Sequence, residues 1–283
     1  MAKQCILCKS QNYLTQFIEE GIPIVECRDC GHVYSTYSQD VHYEGYWDDD
    51  TAEYDLDWWD LAHRGVYKEF IRSFLKQDSG TLLDVGCGLG FFVKSVQEQR
   101  PNWKVLGYEI SKKAVAFAND VNKLPNVKSG LVQNSGIGKA SVDVITLWDV
   151  IEHIPEPHSL LEYLFSLLKP GGKLFLQTPN FPIQLVKANL KLLVFRGKPG
   201  VHYLEVRDHI QNYKMETIQR LGSQIGFKSS KVYVMTPILS VAGGSGKLGV
   251  FLKLGYYYVT KFLFQLSFGK LNWNNTLFVI FTK

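Results

Sequence analysis

Short apolar runs alternate with amphipathic stretches from residue 81 onward, and this alternation predicts the fold. Apolar runs bounded by turn residues are typical of buried strands, whereas apolar positions three or four residues apart are typical of helices. The predicted strands are Thr81–Val85, Val105–Tyr108, Val142–Leu147 and Lys173–Gln177, and the helices between them are Phe92–Gln99, Lys112–Asn119 and His158–Leu168. Strands separated by helices favour an α/β fold, with a parallel sheet covered on both faces.

Further elements precede and follow this alternation. Leu61–Lys76 has helical spacing, Glu216–Ile225 and Phe227–Val234 form a later helix and strand, and Thr276–Thr282 is a final strand. The motif Lys169-Pro-Gly-Gly predicts the end of a helix before the next strand. Hydrophobic residues make up 46% of the 283 positions, which is enough for a sizeable core.

A glycine-rich turn follows the first strand of the alternating region and opens the next helix. It reads Asp84-Val-Gly-Cys-Gly-Leu-Gly90, and such a turn lets a ligand approach the backbone closely. The dinucleotide fingerprint needs a small residue where this chain has Phe91, and no Walker phosphate-binding loop fits the sequence. The turn therefore indicates a ligand site of another kind.

Two more motifs end neighbouring strands. Glu109 ends the second strand, 23 residues after Gly86, where an acid can bind both ribose hydroxyls of an adenosine. The third strand runs into Trp148-Asp-Val-Ile-Glu-His-Ile-Pro155, an acidic turn that carries His153. Because the carboxyl ends of parallel strands meet at one edge of the sheet, we expect all three motifs at the rim where open α/β folds bind ligands.

Together these motifs resemble those of the class I S-adenosylmethionine-dependent methyltransferases, in the branch that includes ubiquinone-biosynthesis O-methyltransferases. Lys169–Lys173 and Gly226-Phe227 resemble later motifs of that family, and the resemblance covers about residues 60–235. It implies S-adenosylmethionine as cofactor and a Rossmann-like, seven-stranded sheet whose last strand is antiparallel. The cofactor-binding residues that it implies are Asp84, Gly86, Cys87, Gly88, Gly90, Glu109, Ile110, Asn134 and Trp148.

Four of the five cysteines fall within the first 30 residues, as Cys5-x2-Cys8 and Cys27-x2-Cys30. Two such knuckles can present four thiolates tetrahedrally, so the spacing predicts a closed, structural zinc site in which all four cysteines are metal ligands. Two disulfides are the alternative, which a reducing compartment disfavours. The module resembles the zinc ribbon that precedes some of these methyltransferases, notably sugar C-methyltransferases.

Charge is distributed unevenly along the chain. Residues 1–180 have 17 basic and 24 acidic side chains, whereas residues 181–283 have 14 and 3, so the C-terminal third suits an anionic partner. Two segments there, Leu185–Arg196 and Leu248–Phe268, combine lysines with many apolar residues and predict helices that lie on a membrane or over a lipid-linked acceptor. A substrate cap or a dimer face is the other interpretation.

The N-terminus has no apolar segment typical of a secretory signal, and no run of 18 apolar residues predicts a membrane span. We therefore expect a cytoplasmic protein, and peripheral membrane contact is one of the two interpretations of the segments Leu185–Arg196 and Leu248–Phe268. The acidic, aromatic stretch around Tyr43, Tyr46 and Trp47 predicts a linker whose aromatic side chains either close over the cofactor as a lid or dock as ordinary core residues. The expected units are a zinc ribbon (1–40), a linker and helix (41–80), a methyltransferase core (81–236), and a helical segment with the final strand (237–283).

Methyl transfer to oxygen or carbon also requires the loss of a proton from the acceptor. His153 and His209 are the candidate bases, because histidine titrates near neutral pH. The sequence therefore predicts a methyltransferase for a small or medium acceptor, such as an anionic sugar or a lipid-linked intermediate. Two alternatives stay open: an RNA methyltransferase, which sparse arginine disfavours, and a ribbon interaction module on a domain that binds the cofactor without turnover.

Overall fold

The computed structural model describes residues 4–38, 56–196, 198, 201–239 and 247–283, and within them the chain forms two sheets flanked by helices. The strands are β1 Tyr13–Glu19, β2 Ile22–Cys27, β3 Val33–Ser35, β4 Gly80–Val85, β5 Trp103–Glu109, β6 Val127–Ser129, β7 Val142–Trp148, β8 Leu168–Pro179, β9 Gln211–Asn212, β10 Ser229–Tyr233 and β11 Thr276–Thr282. The α-helices are α1 Leu56–Phe74, α2 Phe91–Gln99, α3 Lys112–Asp120, α4 Pro157–Leu167, α5 Phe181–Phe195, α6 Met215–Ile225 and α7 Lys247–Leu266.

The larger sheet has the strand order β10-β11-β8-β7-β4-β5-β6. The five strands from β8 to β6 are parallel, and β11 runs antiparallel between β8 and β10. Both faces of the central strands are covered, which is why they consist largely of Val, Ile and Leu; Leu83 and Ile145, partners across β4 and β7, are fully buried. The seven strands and the antiparallel last strand confirm the fold class that the sequence predicts.

The strand order reverses at β4. The chain passes from β4 outward to β5 and β6 and then returns to β7 on the opposite side of β4. Ligands of open α/β sheets bind at the carboxyl ends of the strands at such a reversal, because the connections there diverge and leave a crevice. Gly86 after β4, Glu109 at the end of β5 and Trp148 at the end of β7 therefore share this rim.

Helices bury apolar faces on both sides of the larger sheet. On one side, Phe70 of α1 packs against Phe92 of α2 and Phe175 of β8, with ring centroids 5.5 Å and 4.7 Å away. On the other side, Leu161 of α4 and Leu221 of α6 are fully buried in a second apolar cluster. The helix α1, which precedes the alternating region, is thereby part of the core.

The N-terminal module forms the smaller sheet, in the order β1-β2-β3-β9. Its fourth strand, β9, comes from a distant part of the chain, between α5 and α6, and pairs antiparallel with β3 through Tyr34 and Gln211. Val25 and Tyr34 of the module are buried in the same apolar cluster as Leu161 and Leu221. The module therefore packs into the larger domain as part of a shared core.

Several predicted elements need adjustment. Strands β3, β6 and β9 are missing from the sequence prediction, because runs of two or three residues show no periodicity. Helix α4 does end where Lys169-Pro-Gly-Gly predicts, but β8 begins at Leu168 and includes that motif, so the strand starts earlier than Lys173. The predicted helices Leu185–Arg196 and Leu248–Phe268 correspond to α5 and α7.

The predicted lid residues Tyr43, Tyr46 and Trp47 lie outside the described residues, and the proposed unit boundaries stay predictions. Within the described part of the chain, no helix is both long enough and apolar enough to cross a membrane.

Candidate active site

The glycine turn after β4 is held in a backbone conformation that favours glycine. Gly86 has φ +70°, and a Cβ there would lie 2.6 Å from Cγ2 of Val150. Gly88 also has a positive φ, and its amide donates a hydrogen bond of 2.9 Å to Oε2 of Glu109. The turn is thus fastened to the end of the neighbouring strand and keeps its backbone close to the crevice.

Glu109 is almost fully buried and connects three pieces of the rim. Its Oε1 accepts a hydrogen bond of 3.0 Å from the amide of Ser111, and the Ser111 hydroxyl in turn caps α3 by accepting from the amide of Ala114. The carboxylate is therefore fixed in position between the glycine turn and the first turn of α3. A carboxylate in this place is suited to accept hydrogen bonds from a ribose diol.

Asp84, the last acid of β4, is fully buried beside the same crevice. It accepts a hydrogen bond of 2.6 Å from the hydroxyl of Thr146 on β7. Burial raises the pKa of Asp84 to about 8, and the charge of Glu109 adds to the shift. A cationic ligand group would favour the ionised form of this carboxyl group.

One cavity of about 570 Å³ runs along the rim and joins two chemically different ends. This volume lies within the range of about 300–1,000 Å³ that is usual for small-molecule sites. One end is lined by the glycine turn, Glu109 and residues 131–133, and we call it the donor end. The other, which we call the acceptor end, is lined by Asp149, Glu152, His153, Pro155, Glu156, Glu205, Asp208 and His209.

Three side chains converge at the acceptor end. One ligand-type atom from each of Glu152, His153 and His209 lies within 4.8 Å of the others, and the two imidazole centroids are 5.0 Å apart. Burial lowers the pKa of each histidine to about 4, and for His153 the neighbouring His209 adds to the shift. Both rings are therefore neutral at pH 7, with a lone pair that can accept a proton or bind a cation, but they are weaker bases than the near-neutral pKa expected from the sequence implies.

The surrounding acceptors decide which ring nitrogen carries the proton. Nδ1 of His153 lies 3.0 Å from the carbonyl oxygen of Asp208, so it is assigned as the donor and Nε2 carries the lone pair. Nε2 of His209 lies 3.2 Å from a carboxylate oxygen of Glu205, which assigns the lone pair of that ring to Nδ1. Each histidine is thus oriented by the loop that precedes β9.

Two acids at this end have unusual environments. Both carboxylate oxygens of Glu152 are buried, and no other described residue makes a hydrogen bond of normal geometry to them. Burial raises the pKa of Glu152 well above its usual range, although its own backbone amide and the Thr178 hydroxyl partly offset the shift. Burial also raises the pKa of Asp149 to about 6, although the Gln177 amide donates a hydrogen bond to it. A buried carboxylate of this kind is either protonated or compensated by a cation.

The N-terminal module holds the loop that carries Glu205, Asp208 and His209. The buried carboxylate of Glu19 on β1 accepts hydrogen bonds from three backbone amides of this loop, those of Tyr203, Leu204 and Val206, at 2.6, 2.9 and 3.3 Å. The module thereby supports one side of the acceptor end directly.

Gln211 of β9 adds a second link between the module and the cavity rim. Its side-chain oxygen lies 2.9 Å from Nε2 of His32, and its amide donates to the carbonyl oxygen of Pro155 at 3.1 Å. His32 is fully buried in the module, whereas Pro155 lines the acceptor end. A single side chain therefore joins the module to the turn that carries His153.

The four N-terminal cysteines form a cluster remote from this chemistry. Their sulfur atoms all lie within 4.8 Å of one another, with 3.4 Å between Cys5 and Cys30 and between Cys8 and Cys27. These distances are too long for disulfides and close to the edge of about 3.8 Å in a tetrahedral site with Zn–S bonds of about 2.3 Å. The residues fit a structural zinc ion.

Most predicted site residues do line the cavity: Asp84, Gly86, Cys87, Gly88, Glu109, Ile110, Trp148, His153 and His209. Gly90 does not, and it acts in packing, because a Cβ there would lie 2.6 Å from Leu124. Asn134 does not either: it is exposed on a short 3₁₀-helix whose preceding residue, Gln133, faces the cavity. Side chains about 120° apart on such a helix point in different directions.

Sequence reasoning missed several acceptor-end residues, among them Glu152, Glu205 and Asp208. Glu152 lies next to His153 in the quoted motif, and its buried carboxylate is evident only in the structure. Glu205 and Asp208 belong to a segment without regular structure, and nothing in their spacing indicates that they return to the rim of β7. Proximity to His209 is the one signal that could have suggested them.

Comparison with known proteins agrees with this geometry. Residues 58–232 match a family model described as a methyltransferase domain. Ubiquinone biosynthesis O-methyltransferases of Xanthomonas axonopodis pv. citri (strain 306) and Nitrosococcus oceani are 31% and 33% identical over 140 and 142 residues. Each match covers 44% of this chain, and 56% and 57% of the relatives, so the chain spans a little over half the length of these curated proteins.

Solved structures share the fold at low identity. Phosphoethanolamine N-methyltransferase 2 of Haemonchus contortus has a TM-score of 0.55 and 18% identity, over 89% of this chain and 62% of that chain. A methyltransferase of Archaeoglobus fulgidus has a TM-score of 0.50 and 16% identity, over 81% and 100%. Fold and rim define an α/β protein with a ligand crevice at the carboxyl ends of its parallel strands. The chain belongs to the methyltransferase-domain family of class I S-adenosylmethionine-dependent methyltransferases.

Replacing Glu109 tests the donor end. Glu109→Gln removes the charge that strengthens hydrogen bonds to a diol, each worth about 1.5–3 kcal/mol, so we expect the dissociation constant for S-adenosylmethionine to rise at least about tenfold. Isothermal titration calorimetry measures it, with Glu98→Gln on the exposed side of α2 as control. Equal affinity of wild type and Glu109→Gln would contradict this assignment.

Replacing Glu19 tests the support of the acceptor loop. Glu19→Gln leaves a single acceptor oxygen facing three amides, so we expect hydrogen exchange of residues 203–206 to accelerate at least about tenfold while donor affinity stays unchanged. The matched control is Glu20→Gln, because Glu20 is exposed and pairs only with the exposed Arg207 in the described contacts. Similar exchange rates in the two variants would show that the carboxylate does not hold the loop.

Proposed function

We propose that this protein transfers the methyl group of S-adenosylmethionine to an oxygen or carbon atom of a small or medium acceptor. The observation that carries the proposal is the single cavity that joins the glycine turn and Glu109 to the cluster of His153 and His209. The relatives described as ubiquinone biosynthesis O-methyltransferases support oxygen as the acceptor atom.

When bound, S-adenosylmethionine supplies a methyl group already activated on a sulfonium. The chain's own task is then largely to position the acceptor, which can account for about 7–11 kcal/mol of the barrier. The glycine turn, Asp84 and Glu109 would hold the donor. Trp148, which packs at tilted or edge-on angles against Tyr67, Phe92 and Phe175, would form an apolar wall of the cavity. These residues exclude water from the reacting atoms.

His153 would act as the general base. Its Nε2 carries the lone pair, so it can take the proton of an acceptor hydroxyl as the oxygen attacks the methyl carbon. The Asp208 carbonyl oxygen fixes the ring, and it also stabilises the proton on Nδ1 of the charged form. His209, with its ring bonded to Glu205, is the second candidate for the same role.

The lining of the cavity bears on the acceptor. Among the described residues it contains no lysine or arginine, whereas Glu152, Glu156, Glu205 and Asp208 are all acidic. A neutral hydroxyl or carbon acid suits this end, and the charged part of an anionic sugar or lipid-linked intermediate would stay outside it. The same acids would repel the phosphodiesters of RNA, which makes the RNA alternative the weaker one.

A divalent cation held by Glu152, His153 and His209 is a second candidate mechanism at this site. The unpartnered, buried carboxylate of Glu152 favours it, because a cation would compensate that charge. Two imidazoles and one carboxylate are common ligands of transition metals. Here the histidines would hold the cation, and the cation would lower the pKa of the acceptor hydroxyl.

For the N-terminal module we propose one structural zinc ion bound by Cys5, Cys8, Cys27 and Cys30. The sulfur cluster supports this, and four thiolate ligands leave no open position for catalysis. The ion would stabilise the small sheet and, through it, the loop that Glu19 holds.

The function is tested by incubating the protein with cell extract and a methyl donor labelled with a heavy isotope. We expect mass spectrometry to detect at least one small product that gains the labelled methyl group. Donor-dependent thermal stabilisation without a labelled product in any extract would instead support a domain that binds the cofactor without turnover.

Substitutions at the acceptor end separate the two mechanisms. We expect His153→Asn or His209→Asn to lower turnover by about 10²–10⁴-fold for the histidine that acts as base, with donor affinity unchanged. Glu152→Gln is tolerated if a histidine works alone, but it abolishes stimulation by added Mg²⁺ or Mn²⁺ if a cation is bound. Wild-type turnover in both histidine variants would contradict a histidine base.

Zinc removal tests the module. Elemental analysis should find about one zinc ion per chain, and Cys8→Ser with Cys30→Ser should abolish it, because structural zinc sites need all four ligands. We expect the double variant to melt at a lower temperature. The control is Cys87→Ser, since Cys87 lies apart from the cluster in the glycine turn. Full zinc content in the double variant would disprove the assignment.

A further inference from the structure

The described residues leave a large apolar surface around α5 and α7. Of the 21 large hydrophobic side chains that are exposed in the described part of the chain, 16 belong to α5, α7 and residues 268–273. Leu193, Phe251 and Phe262 are 76%, 71% and 62% exposed. A monomeric protein rarely leaves an apolar patch of this size uncovered unless it binds something there. We name these residues the apolar-basic surface.

Helix α7 is apolar on the side that faces away from the protein. Tyr257 and Thr260 are buried against the core, as the inner face of a surface helix should be. Its exposed side chains are nonetheless large and hydrophobic: Phe251, Leu252, Tyr256, Tyr258, Val259, Phe262 and Leu266. An ordinary surface helix has polar residues there, so this face is adapted to a partner that accepts apolar side chains.

The two helices contribute to one continuous surface. The segment Trp273–Asn275 links them. The side-chain oxygen of Asn275 accepts hydrogen bonds from Gln184 and Lys187 of α5. The carbonyl oxygen of Trp273 accepts a hydrogen bond from the hydroxyl of Tyr256 on α7. The charge of Lys253 on α7 also contributes to lowering the pKa of Lys187, after burial and Lys191, so the lysines of the two helices are neighbours.

The charge of the surface identifies its partner. Residues 181–196 and 247–273 contain seven lysine or arginine residues and no acidic residue. A second copy docked through the same face would bring two such sets of like charges together, which is unfavourable. Nine of the 16 exposed hydrophobic side chains are aliphatic and seven are aromatic, and the aliphatic majority does not match the stacking contacts that single-stranded nucleic acid prefers. An anionic lipid bilayer accepts both the apolar and the basic groups.

We infer that the apolar-basic surface docks this methyltransferase on anionic lipid membranes, with α5 and α7 lying in the plane of the interface. Exposed Trp273, Tyr256 and Tyr258 are residue types that favour the boundary between lipid tails and headgroups. Helix α5 begins two residues after Pro179, which lines the cavity, and the loop that follows α5 carries His209, so the chain leads from the cavity into α5 and back to it. The inference goes beyond the proposed methyl transfer and does not depend on it.

Vesicle co-sedimentation with the full, zinc-loaded chain tests this inference. The probes are phosphatidylcholine vesicles with about 30% phosphatidylglycerol, and pure phosphatidylcholine vesicles. We expect the wild type to bind the anionic vesicles, to bind the neutral ones at least tenfold more weakly, and to lose most binding in about 0.5 M salt. No donor or acceptor is added, so failure here would leave the proposed methyl transfer standing.

Matched variants identify the surface responsible. We expect Leu193→Asp with Phe262→Asp to reduce the partition coefficient at least about tenfold. The control, Leu61→Asp with Val121→Asp at sites elsewhere that are 59% and 60% exposed, should bind as wild type. Lys191→Glu with Lys270→Glu should weaken binding to the anionic vesicles. Its control is Lys104→Glu with Lys128→Glu, which makes the same change of net charge at exposed sites on β5 and β6. Unchanged melting temperatures verify that each variant is folded.

Three results would overturn the inference. The first is no binding of the wild type to anionic vesicles at low salt, and the second is equal binding of the surface variants and their controls. The third is sedimentation of the wild type as a dimer that Leu193→Asp with Phe262→Asp dissociates, without vesicle binding, which would assign the surface to self-association.

Discussion

The pairing of β4 with β5 on one side and with β7 on the other is the constraint on which the site depends. Parallel hydrogen bonding places the carboxyl ends of the three strands side by side, because neighbouring strands of a sheet lie about 4.7–4.9 Å apart. The residues that follow these three strands therefore share one crevice. The glycine turn, Glu109 and Trp148 are neighbours for this reason, although up to 62 residues separate them in sequence. The hydrogen bond from Gly88 to Glu109 then joins two of these ends directly.

The acceptor end depends on contacts of longer range. The turn after β7 supplies Glu152 and His153, but the loop before β9 supplies Glu205 and His209, and that loop rests on the N-terminal module through Glu19. A buried carboxylate that accepts several backbone amides is a strong local anchor, because each amide would otherwise lack a partner. The cysteine cluster is therefore connected to the active site through β1, β3 and β9, even though none of its sulfur atoms lines the cavity.

Charge is separated between the inside and the outside of the protein. The cavity collects acids and neutral histidines, whose pKa values are shifted by burial. Helices α5 and α7, in contrast, contain lysine but no acidic residue and expose large apolar side chains. The two regions favour different chemistry. The interior suits removal of a proton from a neutral group, and the exterior suits an anionic surface.

The sequence by itself determined the α/β fold, the glycine turn, the position of Glu109 at the end of its strand and the pairing of the four cysteines in two Cys-x2-Cys motifs. Each of these features follows from local periodicity or from spacing within a short stretch. Thr276–Thr282 is an apolar run with turns on both sides, so even its bounds were predictable. The tertiary structure alone decided that Gln133 rather than Asn134 faces the cavity, that Glu152 is buried without a partner, and that β9 joins the N-terminal sheet. Those features depend on which distant segments pack together, and no local pattern of polar and apolar residues encodes that packing.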